Sequence, residues 1–289
     1  MKLSKIALLV AACGLAVGNV QAKEGGDQYP NGAENWFAGA VPPPGNYFIN
    51  YFGNYSAHPY AGSNKVDAVK VNAWFDAMRF LQVTNQKVAG ADWAWHVIVP
   101  LVKLSVETPG GKFKKSGLGD ITINPMILAW HSPEIHQAVG LDINLPTGRY
   151  DKNDVANLGT NYYSVEPIYA ISYLGQNGWE VSGKFMYNIK TKNKDTDYKS
   201  GDEFHFDYLV GKNFGPWGVG LSGYYVKQTT ADKLNGREIG NKGEVFSIGP
   251  SVKYSTKGGM TLVGQWQRET NVENRTGGDK VWLKLILPL

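Results

Sequence analysis

Apolar and polar side chains alternate at every second residue along most of this sequence, and this alternation constrains the fold more than any other feature. The stretch from Gly178 to Asp195 shows it clearly and reads G-W-E-V-S-G-K-F-M-Y-N-I-K-T-K-N-K-D. Trp179, Val181, Gly183, Phe185, Tyr187 and Ile189 occupy its odd positions, and Glu180, Ser182, Lys184, Met186, Asn188 and Lys190 its even positions. Because side chains two apart share one face of a strand, this period predicts a β-strand with two unlike faces.

Nine further segments alternate in the same way, two more at 69–83 and 93–106 are mixed on both faces, and no helical period persists, so the chain is predicted to be all-β. With the segment quoted above they make twelve, and the others cover 46–56, 69–83, 93–106, 119–130, 137–145, 162–174, 203–211, 217–228, 244–254, 260–269 and 280–289. An even number of antiparallel strands is what a bacterial single-chain membrane barrel contains.

The links between these segments alternate in length. From the fourth segment onward, short links at 131–136, 176–178, 213–216 and 255–259 alternate with longer polar links at 146–161, 191–202, 229–243 and 270–279. Outer-membrane barrels have short periplasmic turns and longer external loops. The pattern therefore predicts a transmembrane, antiparallel, up-and-down β-barrel of about twelve strands, whereas a soluble sandwich gives no reason for it.

The same architecture assigns the two faces of each strand. In a membrane barrel the apolar face contacts lipid and the polar face lines the lumen, the reverse of a soluble barrel. Aromatic residues near strand ends are typical of the girdles at the two bilayer interfaces; here they are Tyr163, Tyr169, Tyr173, Trp179, Tyr187, Trp217, Tyr225 and Tyr254. The predicted lumen-lining residues are Glu166, Glu180, Lys184, Lys190, Glu203, His205, Asp207, Lys253, Gln265, Gln267 and Glu269.

The N-terminus has the features of a secretory signal peptide. Two lysines precede an apolar run, and small residues end at Ala22, which predicts cleavage there and a signal peptide over 1–22. A lipoprotein cleavage box ending at Cys13 is a competing interpretation, although the apolar run before it is short. Residues 23–44 are then a periplasmic or lumen-plugging segment, and residues 45–289 form the barrel.

Composition excludes several classes of function. Cys13 is the only cysteine, so cleavage after Ala22 leaves no disulfide, cysteine zinc site or thiol nucleophile. The net charge of +4 falls to +2 when Lys2 and Lys5 leave with the signal peptide, and this small excess does not indicate a nucleic-acid partner. No cofactor is predicted.

Glu203, His205 and Asp207 lie on one face of a predicted strand and form the sharpest polar cluster. A metal or acid–base site there would need partners from neighbouring strands, and a channel wall with mixed charge explains the cluster more simply. A serine hydrolase needs a serine hydroxyl within hydrogen-bond reach of a histidine that a third polar group orients. His205 has no serine two residues away on its own face. The sequence therefore predicts neither a metal site nor an enzyme.

The last segment, V-W-L-K-L-I-L-P-L, is apolar at every odd position from Val281 to Leu289. An amphipathic C-terminal strand resembles the signal that barrel-assembly machinery recognises. Here the chain ends in Leu289 instead of phenylalanine, and Pro288 cannot donate a ladder hydrogen bond. Partners are thus predicted to be outer-membrane lipid and the assembly machinery.

Four motifs carry a resemblance to a known family. They are S-G-L-G-D-I-T-I-N-P at 116–125, L-P-T-G-R-Y-D at 145–151, L-G-T-N-Y-Y-S-V-E-P at 158–167 and K-G-E-V-F-S-I-G-P-S-V-K-Y at 242–254. With them the chain resembles the outer-membrane proteins grouped under the meta-pathway of phenol degradation. That resemblance implies a barrel of about twelve strands and uptake of aromatic or other hydrophobic compounds, and it implies no catalytic residues.

Together these features predict a porin-like channel for small solutes in the outer membrane of a Gram-negative bacterium. The alternative is a non-transport barrel, an adhesin or structural component, whose long loops carry the function. The sequence leaves open the solute, the oligomeric state and whether the pore is open or plugged.

Overall fold

The computed structural model describes residues 25–289, all of them in strands, turns and loops. The predicted signal peptide, its cleavage site at Ala22 and the alternative lipidation site at Cys13 lie outside the described residues. Within residues 25–289, no helix is long and apolar enough to cross a membrane.

Twelve long strands form one sheet. In chain order they are β1 (Gly45–Ala61), β2 (Lys70–Val88), β3 (Ala91–Thr108), β4 (Ile121–His131), β5 (Ile135–Leu145), β6 (Ser164–Leu174), β7 (Trp179–Lys190), β8 (Glu203–Phe214), β9 (Trp217–Gln228), β10 (Glu244–Ser255), β11 (Thr261–Glu273) and β12 (Thr276–Pro288). Each corresponds to one of the twelve predicted segments, with ends that differ by a few residues.

The sheet closes on itself. Each strand pairs antiparallel with its neighbours in the chain, and β12 pairs with β1 from Tyr47 opposite Pro288 to Pro59 opposite Thr276. An up-and-down barrel with an even number of strands returns both termini to one end. The prediction of a twelve-stranded, antiparallel, up-and-down barrel is confirmed.

The two ends of the barrel differ, as the alternation of links predicts. At the end that holds the termini, the strands are joined by turns at 89–90, 132–134, 175–178, 215–216 and 256–260. The opposite end carries the links at 62–69, 109–120, 146–163, 191–202, 229–243 and 274–275. One predicted loop, 270–279, is wrong, because β11 and β12 continue until only Asn274 and Arg275 separate them. The polar composition suggested a loop, but pairing with β1 extends β12 beyond its apolar part.

Five short strands add to this loop end. Gly111–Leu118 pairs with the last residues of β3, and Asn64–Lys65 pairs with the end of β1. Tyr198–Lys199, Asp232–Leu234 and Arg237–Gly240 form a separate three-stranded sheet within two of the predicted loops.

The faces of the barrel have the polarity expected in a membrane. On β7, Trp179 is 45% exposed, whereas its neighbour Glu180 is fully buried, and Leu221 on β9 is 53% exposed. An apolar exterior around a charged interior would be unstable in water but suits a hydrocarbon surround. Strand β1 is an exception, because its apolar residues Ile49 and Tyr51 face inward and are buried.

Candidate functional site: an occupied polar lumen

The lumen contains all eleven residues predicted to line it. Each of them is buried: Glu166, Glu180, Lys184, Lys190, Glu203, His205, Asp207, Lys253, Gln265, Gln267 and Glu269. They project inward from β6 to β8, β10 and β11. That they line a path for solutes stays a prediction.

Most of residues 25–44 lie inside the barrel, and the carboxylate of Asp207 is their main anchor. It accepts hydrogen bonds from the Tyr29 hydroxyl at 2.6 Å, the Gly32 amide at 2.8 Å and the Glu34 amide at 3.1 Å. Hydrogen bonds to a charged group contribute about 1.5–3 kcal/mol each when well formed. This single wall residue therefore fixes one turn of the N-terminal segment.

Glu34 makes the reverse contact, from the segment to the opposite wall. Its carboxylate accepts hydrogen bonds from the Tyr51 hydroxyl at 2.5 Å, from Arg79 at 2.6 Å and from Lys284 at 2.6 Å. Burial alone would raise the pKa of Glu34, but the charges of Lys284, Arg79 and Lys184 lower it well below its usual range. The segment is thus held by charge on both sides of the lumen.

Trp36 is inserted among residues of β8, β9 and β10. Its indole nitrogen donates to the Ser251 hydroxyl at 2.9 Å, and the Lys253 ammonium lies 4.4 Å from its ring centroid. Gly211 and Gly218 make room for the ring. A Cβ at Gly211 would lie 2.4 Å from the Cη2 atom of Trp36, and a Cβ at Gly218 would lie 3.0 Å from it. Neither glycine is among the eleven residues predicted to line the lumen.

Backbone groups complete the attachment of the segment. The Phe37 amide donates to Glu180 at 2.6 Å, and the Gly39 amide donates to Ser172 at 2.9 Å. Gln265 donates to the Gly32 carbonyl at 2.7 Å. Buried backbone polar groups need such partners, and here the barrel wall supplies them instead of a sheet.

The cluster of Glu203, His205 and Asp207 does not converge on one point. Glu203 pairs with Lys190 at 2.8 Å, and Asp207 binds the segment as described above. The His205 ring contacts Glu166 at 3.1 Å through Nε2 and Asn31 at 2.8 Å through Nδ1. In the described part of the chain, no group of three or more His, Cys, Asp or Glu side chains could hold a metal ion.

Other polar side chains of the wall contact each other. Lys253 and Glu180 form an ion pair at 3.3 Å, and the His96 ring lies 3.2 Å from the Asp142 carboxylate, with all four side chains almost fully buried. Paired charges avoid the large free-energy cost of isolated buried ions. The lumen is therefore polar without a strong excess of one sign.

Asp120 is a buried carboxylate that contacts the N-terminal segment and is not among the predicted lumen residues. It accepts hydrogen bonds from the Gly148 amide at 2.9 Å, from the Thr160 amide at 2.9 Å and from Gln28 of the segment at 3.2 Å. A Cβ on Gly159 would lie 2.6 Å from its carboxylate. Three of the four sequence motifs thus meet at one carboxylate, and their common glycines were the available signal.

Arg79, Asp142, Lys280 and Lys284 were also missed, although each faces inward. Lys280 and Lys284 occupy even positions of β12, on the face opposite its apolar odd positions, and this alternation was the available signal.

Comparison with known proteins agrees with this geometry. A family model described as "Putative MetA-pathway of phenol degradation" matches residues 57–285. The chain matches no curated protein sequence.

Several solved structures share the fold. An outer membrane channel from Pseudomonas putida F1 has a TM-score of 0.76 at 17% identity, covering 86% of this chain and 97% of that chain. The translocator domain of the autotransporter NalP from Neisseria meningitidis has a TM-score of 0.51 at 6% identity, covering 87% and 91%. The beta domain of the Bordetella autotransporter Brka also has a TM-score of 0.51, at 9% identity, covering 85% and 100%. At these identities the likeness shows a common barrel fold.

Proposed function

The chain belongs to the family described as the MetA-pathway of phenol degradation, and from that membership we propose that it is an outer-membrane channel for passive uptake of small solutes. The observation that carries the proposal is the nature of the contacts between residues 25–44 and the wall. They are mainly hydrogen bonds and ion pairs, such as those of Asp207 and Glu34.

Polar contacts of this kind suit a removable plug. Water can replace each hydrogen bond when the segment leaves, so the net free energy of each bond is about 1.5–3 kcal/mol at the carboxylates of Asp207 and Glu34 and about 1 kcal/mol between neutral groups. An extensive apolar core would instead resist hydration. In the proposed mechanism the segment withdraws in part toward the end where β1 begins, and solutes then diffuse past the charged wall.

We propose aromatic or other hydrophobic compounds as the solutes. The family description supports this class, and so does an apolar area on the inner wall. Buried residues of that area include Leu81, Val83, Ala94, Ile127, Ala129 and Ala138. An aromatic ring moving along the lumen would find apolar contact there and polar partners on the opposite side.

Liposome swelling tests the channel directly. Vesicles containing the purified protein should admit a charged aromatic solute such as benzoate faster than protein-free vesicles do, and faster than they admit a sugar of similar mass. Flux no faster than in protein-free vesicles would contradict the channel. Equal rates for benzoate and the sugar would contradict only the proposed solute class.

The occupied lumen also favours a second candidate, a non-transport barrel acting as an adhesin or structural component. Its loops carry the small sheet formed by Tyr198–Lys199, Asp232–Leu234 and Arg237–Gly240, which would be the surface available to a partner. Replacing 232–240 by a short glycine-serine link separates the two functions. Loss of cell adhesion with unchanged solute flux would favour the adhesin.

We further propose that the protein is not an enzyme. Within residues 25–289, no histidine ring hydrogen-bonds a serine or threonine hydroxyl, and His205 instead contacts Glu166 and Asn31. A hydrolytic activity of the purified protein that is lost in His205→Ala would contradict this proposal.

Recognition of β12 by barrel-assembly machinery is also proposed, because its outward face is apolar from Val281 to Leu287.

A further inference from the structure

The loop end of the barrel carries an exposed group of lysines on its outer face. Lys70 begins β2, Lys103 lies near the end of β3, and Lys112 and Lys114 lie on the added strand Gly111–Leu118. All four lysines are exposed. We call these four residues the lysine patch.

Strand pairing places the patch on the membrane-facing side. Lys103 lies opposite Trp74, which is 46% exposed, and it is two residues from Leu101, which is 45% exposed. Because residues two apart share a face, Lys103 projects from the same surface as the apolar belt. Lys70 is four residues from Trp74 and so shares that face as well.

The added strand extends this surface. Lys114 lies opposite Ser105, and Lys112 lies opposite Glu107, so both lie on the outward face that contains Lys103. Two carboxylates share this outward face: Glu107, which forms an ion pair with Lys112, and Asp76, which lies opposite Leu101 and accepts a hydrogen bond from Asn50. The patch therefore carries a net positive charge at the edge of the apolar belt.

Several other lysines at the loop end form ion pairs with carboxylates. Lys65 lies 2.8 Å from Asp67, Lys227 lies 3.1 Å from Glu244 and Lys233 lies 3.6 Å from Glu238. Among the ion pairs formed within residues 25–289, none includes Lys70, Lys103 or Lys114. These three charges are thus available to a ligand from outside the chain.

We propose that the lysine patch binds the phosphate groups of a phosphorylated glycolipid in the outer leaflet. The patch lies where lipid headgroups meet the barrel, if the loop end faces the cell exterior as the barrel layout predicts. Lysine binds phosphate as a point charge, and several lysines on one surface can contact more than one phosphate. A neutral lipid headgroup would gain nothing from this surface.

Lipid binding by purified protein tests the proposal without requiring conduction, so failure here leaves the channel untouched. The full chain is purified in detergent with EDTA and mixed with bis-phosphorylated lipid A, and retained lipid is counted by native mass spectrometry. The variant K70Q/K103Q/K114Q removes the three unpaired cations. The matched control K194Q/K242Q/K257Q removes three exposed lysines of other loops and turns.

Each lysine near an anionic lipid surface contributes roughly a fivefold change in affinity, so the patch variant should lose at least about tenfold in lipid A affinity. The control should stay within about twofold of the native protein, and native binding should weaken as salt rises.

Heat-dependent electrophoretic mobility establishes that every variant is folded. Equal loss in both variants, or equal binding of dephosphorylated lipid A, would overturn the proposal. Displacement of the lipid by inorganic phosphate at equal concentration would also overturn it, because the site would then be one for free phosphate.

Discussion

At the scale of single residues, Asp207 controls the position of the N-terminal segment. Its two carboxylate oxygens accept the three hydrogen bonds from Tyr29, Gly32 and Glu34. Asp207→Asn removes the charge and leaves only one acceptor oxygen. We expect the amides of Gly32 and Glu34 to exchange with solvent at least about tenfold faster, since hydrogen bonds to charged groups contribute about 1.5–3 kcal/mol.

Asp142→Asn is the matched control for this exchange measurement. Asp142 is equally buried in the wall, but its partners are His96 and Asn124, which also belong to the wall. The same change of charge there should leave exchange at Gly32 and Glu34 within about twofold. Unchanged exchange in Asp207→Asn would show that the segment is held by other contacts.

Gly211 tests the pocket of Trp36. In Gly211→Val the new Cβ would lie 2.4 Å from the Trp36 ring, so the closed position of the segment should be destabilised. Overpacking typically costs about 1–3 kcal/mol, which raises the fraction of displaced segment by roughly five- to 150-fold. Benzoate flux into liposomes should rise accordingly.

Gly264→Val provides the comparison for that flux, because nothing lies within 4 Å of a Cβ at Gly264. Its flux should equal that of the native protein. If Gly211→Val also leaves the flux unchanged, Trp36 does not limit passage.

At the scale of elements, the sheet of the loop end has a pH-sensitive attachment at Asp232. Burial raises the pKa of Asp232 to about 6, although bonds from Tyr198, Gly201 and Gln228 act in the opposite direction. Because the pKa is raised in the folded state, the protonated form of Asp232 stabilises the attachment of the small sheet. This stabilisation is fully present below the ordinary pKa of about 4 and is lost as pH rises through 6.

Amide exchange of residues 198–201, corrected for its intrinsic pH dependence, should therefore become severalfold faster between pH 4.5 and pH 7. Asp232→Asn should abolish that dependence, because the amide does not titrate. A dependence that persists in Asp232→Asn would assign the effect to another group.

The strands were predictable to different degrees. Those from β6 to β9 alternate strictly, so their faces follow from the sequence alone, and their ends differ from the predicted ones by a few residues. Strand β1 was predictable from its sequence, but the inward direction of Ile49 and Tyr51 was not. Tyrosine is common at the two lipid interfaces, and it also occurs in a lumen, where its hydroxyl can donate to buried carboxylates. Tyr51 here donates to Glu34. The added strand Gly111–Leu118 was missed because its partner, the end of β3, is mixed on both faces.

At the scale of the whole molecule, barrel closure was predictable because it depends on strand count and parity, which the alternation supplies. The contents of the lumen were not. Residues 25–44 contain no strand signal, and their position depends on contacts with residues far away in the chain, such as Asp207 and Ser251. A sequence can indicate that a lumen is polar, but it does not indicate which segment of the chain forms hydrogen bonds with the polar groups of the lumen.

The central claim is that the lumen is a solute path closed by its own N-terminal segment. Single-channel conductance in planar bilayers tests it most directly, with the native protein compared to a variant lacking 27–40, folding being checked by heat-dependent mobility. We predict rare, brief openings for the native protein and sustained openings for the variant, with at least a tenfold rise in mean current. Equal and negligible currents from both folded proteins would contradict the claim.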